Sequence, residues 1–578
     1  MKAALFIASF LKKQGISHVF ELSGGMITHI LDAIAEVKGI NIITMHHEQG
    51  ASFAADGMGR VTNKPGIALA TSGPGATNLL TGIASCYFDS VPGLFITGQV
   101  NPNEQRGVRH IRQLGFQETD IVAMAEPIVK KAYRITSPDQ LPAVFAEAYQ
   151  VAISGRPGPV VIDIPMDMQR AEIEVGEIEV IERKKVAVTP LDETFFKKLE
   201  ADLAKSKKPL ILAGRGVRAA GCQDIFRAFA ERTGIPVVSS LMGIDLLPYD
   251  HKLRIGFIGS YGNRWANMAI GHSDMILVIG SRLDIRQTGV NTVDFKGDRV
   301  IYHIDCEEGE INNRVMGCEK VLVDAEDFLN AANTYFEKHK LAANAYTPWC
   351  NELHELRNTW SDKKELEGRI QGINPNIFIH QLSQASHNAV SFLADVGSHQ
   401  MWTAQSLELQ EGQTFITSGG MGAMGFALPA SIGVCLASDK KPVVCIAGDG
   451  GIQLNIQEFQ TIVRNELPIK IIVLNNRCLG MIRQFQDMYF QGRYQSTFWG
   501  YNAPDFEAVA KAYTINAYTV NDENGIEEGL EKLWKHADEP FLLQVMVDPH
   551  TNVYPKMAYG NPITQMEPFV KPTQIEST

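Results

Sequence analysis

Val443-Val444-Cys445-Ile446-Ala447-Gly448-Asp449-Gly450-Gly451 is followed, after a stretch of helical spacing, by Ile469-Lys470-Ile471-Ile472-Val473-Leu474-Asn475-Asn476. Both runs are short and apolar, the pattern of strands buried on both faces of a parallel sheet. One ends in Gly-Asp-Gly and the other in Asn-Asn. In a parallel sheet both ends emerge on one edge, where doubly wound folds bind ligands. Asp449 and Asn476 can therefore face one hard cation, and Mg²⁺ usually shares a few protein oxygens with substrate phosphates. Gly450 and Gly451 let main-chain N–H groups reach a phosphate at the following helix start. Gly-Asp-Gly alone is more often a plain tight turn with a capping Asn, and the second strand tip weighs against that reading.

The same alternation of apolar runs with amphipathic helical patterns fills most of the 578 residues, enough for three or four domains. Strands are expected at 19–22, 40–45, 67–70, 94–97 and 160–164, then at 209–213, 236–239, 275–279 and 300–304. A third block carries 390–394, 443–447, 469–474 and 541–547. The expected fold is α/β, with three doubly wound parallel-sheet domains at 1–170, 190–337 and 373–548 and a wrapping tail at 549–578. Segments 171–191 and 338–372 read as linkers, the first charged and β-like through Ile173, Val175, Ile178 and Val180 with no helical period, the second partly helical.

Lys and Arg number 53 against 65 Asp and Glu, a net charge of −12 that speaks against nucleic acid and anionic membranes as partners. The eight cysteines form no C-x-x-C pair and read as buried hydrophobes in a reducing, cytoplasmic setting. Two charge-free stretches, 65–88 and 412–438, exceed the ~20 residues that cross a bilayer. Gly73-Pro74-Gly75 and Gly419-Gly420 interrupt them, so buried loop-plus-helix is expected instead.

Other motifs are ambiguous alone. In His46-His47-Glu48-Gln49-Gly50-Ala51 a strand ends and a helix begins, where Glu48 would by itself more often serve the helix dipole than catalysis. Gly214-Arg215-Gly216 is a weak dinucleotide turn, since the next glycine is Gly221. Gly280-Ser281-Arg282-Leu283-Asp284-Ile285-Arg286 crowds guanidinium groups at a strand end, suited to phosphate or carboxylate or simply to a solvated salt-bridge cluster.

Together these pieces resemble the thiamine-diphosphate enzymes, specifically the large catalytic subunit of acetolactate (acetohydroxyacid) synthases. The resemblance runs from about residue 19 to 557 through His47–Ala51, TSGPGATN at 71–78 with Pro74 and Asn78, ITGQV at 96–100, GFQE at 115–118 and SGRPGP at 154–159. It continues through HQMW at 399–402, TSGGMGAMGFALP at 417–429, Gly448-Asp449-Gly450 and Leu479-Gly480-Met481. It implies thiamine diphosphate (ThDP), Mg²⁺ and a FAD that does no redox work, in a homodimer or homotetramer with active sites between two chains. Glu48 would contact the aminopyrimidine of a cofactor held by the partner chain and assist its proton chemistry. Met424 would bend the cofactor with Gly422 close by, and Val396, Gly397, Ser398, His399, Gly450 and Gly451 would hold its diphosphate. Asp449, Asn476 and the Cys478 carbonyl would bind the metal. The flavin positions would be Arg156, Gly214, Arg215, Gly216, Leu241 and Met242, with Gly280, Ser281, Arg282, Asp284, Arg286, Asp305 and Asp324.

The implied activity is a carboligase that decarboxylates pyruvate and adds the two-carbon unit to a ketone acceptor, most simply a second pyruvate. Phe116 and Gln117 would line the substrate pocket, Arg282 would steer an acceptor carboxylate, and Phe485 would shape the acceptor pocket. Four features depart from the family. Phe485 stands where members favouring 2-ketobutyrate carry Trp, Ser398 replaces Gln, Glu21-Leu22-Ser23 replaces Gly-Tyr-Pro, and the 554–568 tail lacks the Pro-rich end. They motivate one alternative, a larger acceptor such as a nucleotide-linked keto-sugar. A flavin-dependent pyruvate oxidoreductase is a more distant one.

Overall fold

The computed structural model describes residues 1–341 and 345–573. Parts of the expected second linker (342–344) and tail (574–578) lie outside the described residues. Three six-stranded sheets follow one another, and every pairing within them is parallel.

The first sheet comprises β1 His18–Leu22, β2 Asn41–Thr44, β3 Gly66–Ala70, β4 Gly93–Gln99, β5 Lys131–Arg134 and β6 Pro159–Pro165, in the order β2-β1-β3-β4-β6-β5. The second holds β7 Pro209–Ala213, β8 Val237–Ser239, β9 Arg254–Phe257, β10 Met275–Ile279, β11 Val300–Asp305 and β12 Glu319–Leu322, in the order β12-β11-β10-β7-β8-β9. That is the strand order of dinucleotide-binding sheets. The third contains β13 Ser391–Ala394, β14 Thr414–Thr417, β15 Val443–Gly448, β16 Ile469–Asn475, β17 Asn516–Val520 and β18 Phe541–Met546. Its order, β14-β13-β15-β16-β18-β17, repeats that of the first sheet.

In each sheet two neighbouring strands, β1 and β3, β7 and β10, and β13 and β15, send their connections in opposite directions. A glycine turn sits at each of these reversal points: Gly24 beside Thr71, Gly214 beside Gly280, and Gly397 near Gly448 across His399. The central strands are apolar because helices cover both faces. β15 and β16 are buried along their whole length.

The first and third domains share one hydrophobic core. The helix Glu48–Thr62 crosses the helix Ala427–Ala437 with backbones touching. A Cβ on Gly57 would stand 2.3 Å from the Ala430 carbonyl oxygen, and one on Gly433 would stand 1.9 Å from that of Ala54. Phe53 and Phe426 meet edge to face, centroids 5.3 Å apart, a favourable arrangement of the two ring quadrupoles.

Residues 171–191 form no helix or strand and make isolated bridges at Glu172 and Ala187. The helix Thr347–Thr359 docks on the second domain through Trp349 Nε1, which donates to the Pro209 carbonyl at 3.1 Å. The tail wraps back as a hairpin, β19 Lys556–Met557 with β20 Met566–Glu567. Arg264 donates to the carbonyls of Met566 and Glu567 and pairs with Glu365, which fixes that hairpin on the second domain. The first charge-free stretch contains the expected strand β3, while the second corrects the loop-plus-helix expectation by also containing a strand, β14. Among the described residues no helix is long and apolar enough to cross a membrane.

Candidate active site

A cavity of about 910 Å³ opens at the carboxyl edge of the third sheet, bounded by the second domain and the tail hairpin. It lies at that sheet's reversal point, between the ends of β13 and β15, where a parallel sheet leaves a crevice. Val396, Gly397, Ser398 and His399 follow β13, Asp449, Gly450 and Gly451 follow β15, and Asn476, Cys478, Leu479, Gly480 and Met481 follow β16, all on the wall. Gly422 and Met424 come from the loop after β14, and Phe485 from the helix Gly480–Tyr489.

Asp449 is only 2% exposed. Burial raises its carboxyl pKa to about 6, against the main-chain N–H groups of Asp449 and Asn476 and the Tyr501 hydroxyl, which donates at 2.8 Å. The Asn476 amide oxygen takes the Cys478 N–H at 3.2 Å. Thus the Asn476 main chain reaches the Asp449 carboxylate, and a desolvated carboxylate on a wall that also carries the Asn476 amide is suited to Mg²⁺ shared with phosphate. No cluster of three or more His, Cys, Asp or Glu side chains that could hold a metal occurs among the described residues. Any ion here therefore relies, besides the Asp449 carboxylate, on the amide, the main chain and its ligand.

Two further atoms await partners: Ser398 Oγ and His399 Nε2 are buried without a hydrogen bond. Burial drives the His399 pKa down to about 3, so the ring is neutral. The glycines are explained by crowding. A Cβ on Gly480 would meet Asn476 Nδ2 at 2.7 Å and Ser398 Oγ at 2.8 Å, and one on Gly451 would meet Asp395 Oδ2 at 2.1 Å. These unpartnered polar atoms around a tight glycine cradle fit a diphosphate and its metal.

Glu48, Pro74, Asn78, Phe116 and Gln117 do not line this cavity. They form a second group on the first domain. Asn78 Nδ2 donates to Glu48 Oε2 at 2.9 Å, and a Cβ on Gly73 would touch the Gln117 side chain. His47, not Glu48, caps the helix, its Nδ1 accepting the Gln49 N–H. That leaves the buried Glu48 carboxylate without a capping task. Phe116 is 82% exposed, beside exposed Val108, Ile111 and Leu114.

The second-domain residues divide. Leu241, Met242, Arg282, Asp284 and Arg286 lie on the cavity wall. Asp284 caps the helix Ile285–Thr288, and Arg282 lies 3.5 Å from it. Gly214, Gly216 and Gly280 instead pack backbone to backbone, a Cβ on Gly214 falling 2.2 Å from the Gly280 oxygen. Arg156 pairs with Glu310, Arg183 with Asp324, Arg215 Nε with the Asp89 carbonyl, and Ser281 Oγ with Gln287. Asp305 takes the Glu307 N–H, and burial pushes its pKa up to about 6.

Sequence reasoning missed Tyr501, Asp395, Lys556 and the 257–261 stretch of the wall. Only Asp395 left a trace, as the polar residue directly after β13.

The domains match in turn the thiamine pyrophosphate enzyme N-terminal TPP binding domain over residues 1–124, the central domain over 196–332 and the C-terminal TPP binding domain over 395–545. Fold and site together define a thiamine pyrophosphate enzyme. The acetolactate synthase large subunit of Buchnera aphidicola (from Schizaphis graminum) is 35% identical, with 98% of each chain covered. The isozyme 2 large subunit of Escherichia coli K12 is also 35% identical, over 98% of this chain and 99% of that one. The acetolactate synthase of Arthrospira platensis is 36% identical over 97% of both. The chain belongs to the acetolactate synthase large-subunit family.

Proposed function

We propose that the protein decarboxylates pyruvate and joins the two-carbon unit to a ketone acceptor, with a second pyruvate as the simplest acceptor and 2-acetolactate as product. The observation that carries it is the meeting of Asp449 and the Asn476 main chain at the adjoining tips of β15 and β16, next to the reversal point of the third sheet and inside a cavity with a glycine cradle. When bound there, thiamine diphosphate with Mg²⁺ would supply the acidic carbon and the electron sink that decarboxylation needs. Asp449, Asn476 and the Cys478 carbonyl would hold the metal, and Ser398, His399, Gly450 and Gly451 the diphosphate. Met424 would press on the cofactor from beside Gly450, whose Cβ would lie 3.3 Å from its methyl. Phe485 packs on Tyr489, centroids 4.7 Å apart, an aromatic wall that would keep water from the acceptor. Arg282 would receive the acceptor carboxylate.

Glu48 would work on a partner chain's cofactor, so the active unit would be at least a homodimer. Two observations support this: the Glu48 group stands off the cavity of its own chain, and the 108–116 stretch exposes apolar side chains suited to burial. With Oε2 occupied by Asn78, Oε1 is left to hold the working proton. A non-redox FAD on the second domain has narrower support, its strand order and the five wall residues. Arg156 and Asp324 are already paired within the chain. A flavin absorbance scan decides it. The eight free cysteines support a reducing, cytoplasmic setting.

The test of the main reading is product analysis with pyruvate, thiamine diphosphate and Mg²⁺. Acetolactate should accumulate and disappear on chelation, and no product from pyruvate would overturn the proposal.

A further inference from the structure

Asp89, which closes the helix Leu80–Asp89, has no part in the roles above, yet it meets all three domains. Its Oδ2 accepts the Gly419 N–H at 3.0 Å and Arg60 Nη2 at 2.8 Å, while Oδ1 accepts the Gly420 N–H at 2.6 Å. Its main-chain carbonyl takes Arg215 Nε of the second domain at 2.7 Å. Arg60 is buried as well and is oriented by Asp56. Its Nη1 donates to the Thr417 carbonyl at 2.9 Å. One first-domain pair thus grips the third-domain chain at 417, 419 and 420.

The chain is gripped again a few residues on. Asp395 accepts the Gly425 N–H at 2.9 Å and the Phe426 N–H at 3.1 Å. Residues 421–424 hang between these two carboxylates, with neither helix nor strand of their own, and they bring Gly422 and Met424 to the cavity wall. Within 421–424 the Ala423 N–H donates to Ser418 Oγ at 3.2 Å, a bond between the two anchored ends, and a segment with so little bonding of its own takes its position from its anchors. The roots leave no slack, since a Cβ on Gly420 would meet Phe88 Cβ at 2.7 Å and one on Gly419 the Met242 sulfur at 2.7 Å. Only a carboxylate offers acceptors on both oxygens here. An Asn amide would turn a donor toward one N–H group or toward Arg60.

We propose that Asp89, oriented by Arg60, is a positioning residue that fixes the 419–424 loop of its own chain against the cofactor cavity. The first domain would then shape the pocket of its own chain while lending Glu48 to its partner's. What the loop faces rests on the thiamine-enzyme reading above, but the anchoring does not.

The test uses full-length Asp89→Asn and Arg60→Lys, with Lys470→Met as the control. Lys470 is a buried cation at the far end of β16 that donates to the carbonyls of His536 and Glu539. The control should cost stability without touching the loop. Without cofactor, amide exchange at 419–424 should rise about tenfold in Asp89→Asn, about 1.4 kcal/mol of lost protection, and stay unchanged in Lys470→Met. The apparent Kd for thiamine diphosphate with Mg²⁺ should rise about tenfold in Asp89→Asn and Arg60→Lys only. Unchanged loop exchange in the folded variants, or an equal loss of affinity in the control at matched Tm, overturns the proposal. If Asp89→Asn does not fold, Arg60→Lys carries the same comparison. If the wild type takes up no thiamine diphosphate, the functional reading fails while loop exchange still decides the anchoring.

Discussion

Replacing Asp449 by Asn should separate stability from function. The carboxyl pKa rises from 3.8 to about 6 because the side chain is buried. That rise corresponds to about 3 kcal/mol by which the folded chain without metal disfavours the ionised form. The sign follows from linkage: for a carboxyl whose folded pKa is raised, the stabilising contribution is complete below about 3.8 and is lost as pH rises through about 6. Wild-type protein without ligands should therefore melt lower at pH 8 than at pH 5, and Asp449→Asn should flatten that difference. At about 2–4 °C per kcal/mol for a domain of 150–250 residues, the variant's unfolding should move up by several degrees at pH 8. Adding thiamine diphosphate with Mg²⁺ should reverse the ranking. The wild type should gain about 2.7 kcal/mol at a hundredfold excess over Kd, and the variant should gain nothing. Differential scanning fluorimetry of both proteins, at two pH values and with or without ligand, measures all of this. A ligand-induced shift that survives in Asp449→Asn refutes the metal role, and a lower melting temperature of the unliganded variant refutes the buried-charge cost.

Glu48→Gln should cut turnover of pyruvate by at least about a hundredfold, the scale of a positioned acid or base, and leave thiamine diphosphate binding intact; near-normal steady-state rates would remove Glu48 from the chemistry. Gly451→Ala should abolish Mg²⁺-dependent cofactor uptake, since its methyl would stand 2.1 Å from Asp395 Oδ2; isothermal titration checks it. Phe485→Trp should shift the 2-ketobutyrate to pyruvate acceptor ratio upward, read in competition assays by product analysis.

The interior strands were legible and, β2 apart, the borders were not. β5, β9, β12, β14 and β17 escaped the reading, and each is the outermost strand of its sheet. A strand paired on one side only is short and often half solvated, as in Lys131-Ala132-Tyr133-Arg134, so its apolar run is broken. β15 and β16, buried on both faces, read plainly, and their tips at Asp449 and Asn476 could be placed on one edge from the parallel rule alone. Gly214 and Gly216 carry a packing constraint that the sequence does not display. A tight glycine turn signals close approach, but here the close neighbour is the Gly280 backbone. Tyr501 left no mark, because its hydroxyl reaches Asp449 from 52 residues away and the residue itself lies in a stretch, 491–505, with no helix or strand. Asp395 and Asp89 resemble any polar residue at the end of an element until the loop they hold is seen.

The glycine crossing of the helices Glu48–Thr62 and Ala427–Ala437 bears on how the chain is made. Arg60 and its acceptor at Thr417 are 357 residues apart. At about 5–20 residues per second, a ribosome needs about 20–70 s to deliver the second after the first. During that interval the nascent first domain carries an uncovered face of Phe53, Ala54 and Gly57 with a buried-type Arg60–Asp56 pair at its edge. Fragments ending before residue 437 should therefore be chaperone clients that precipitate when released, however complete their first sheet.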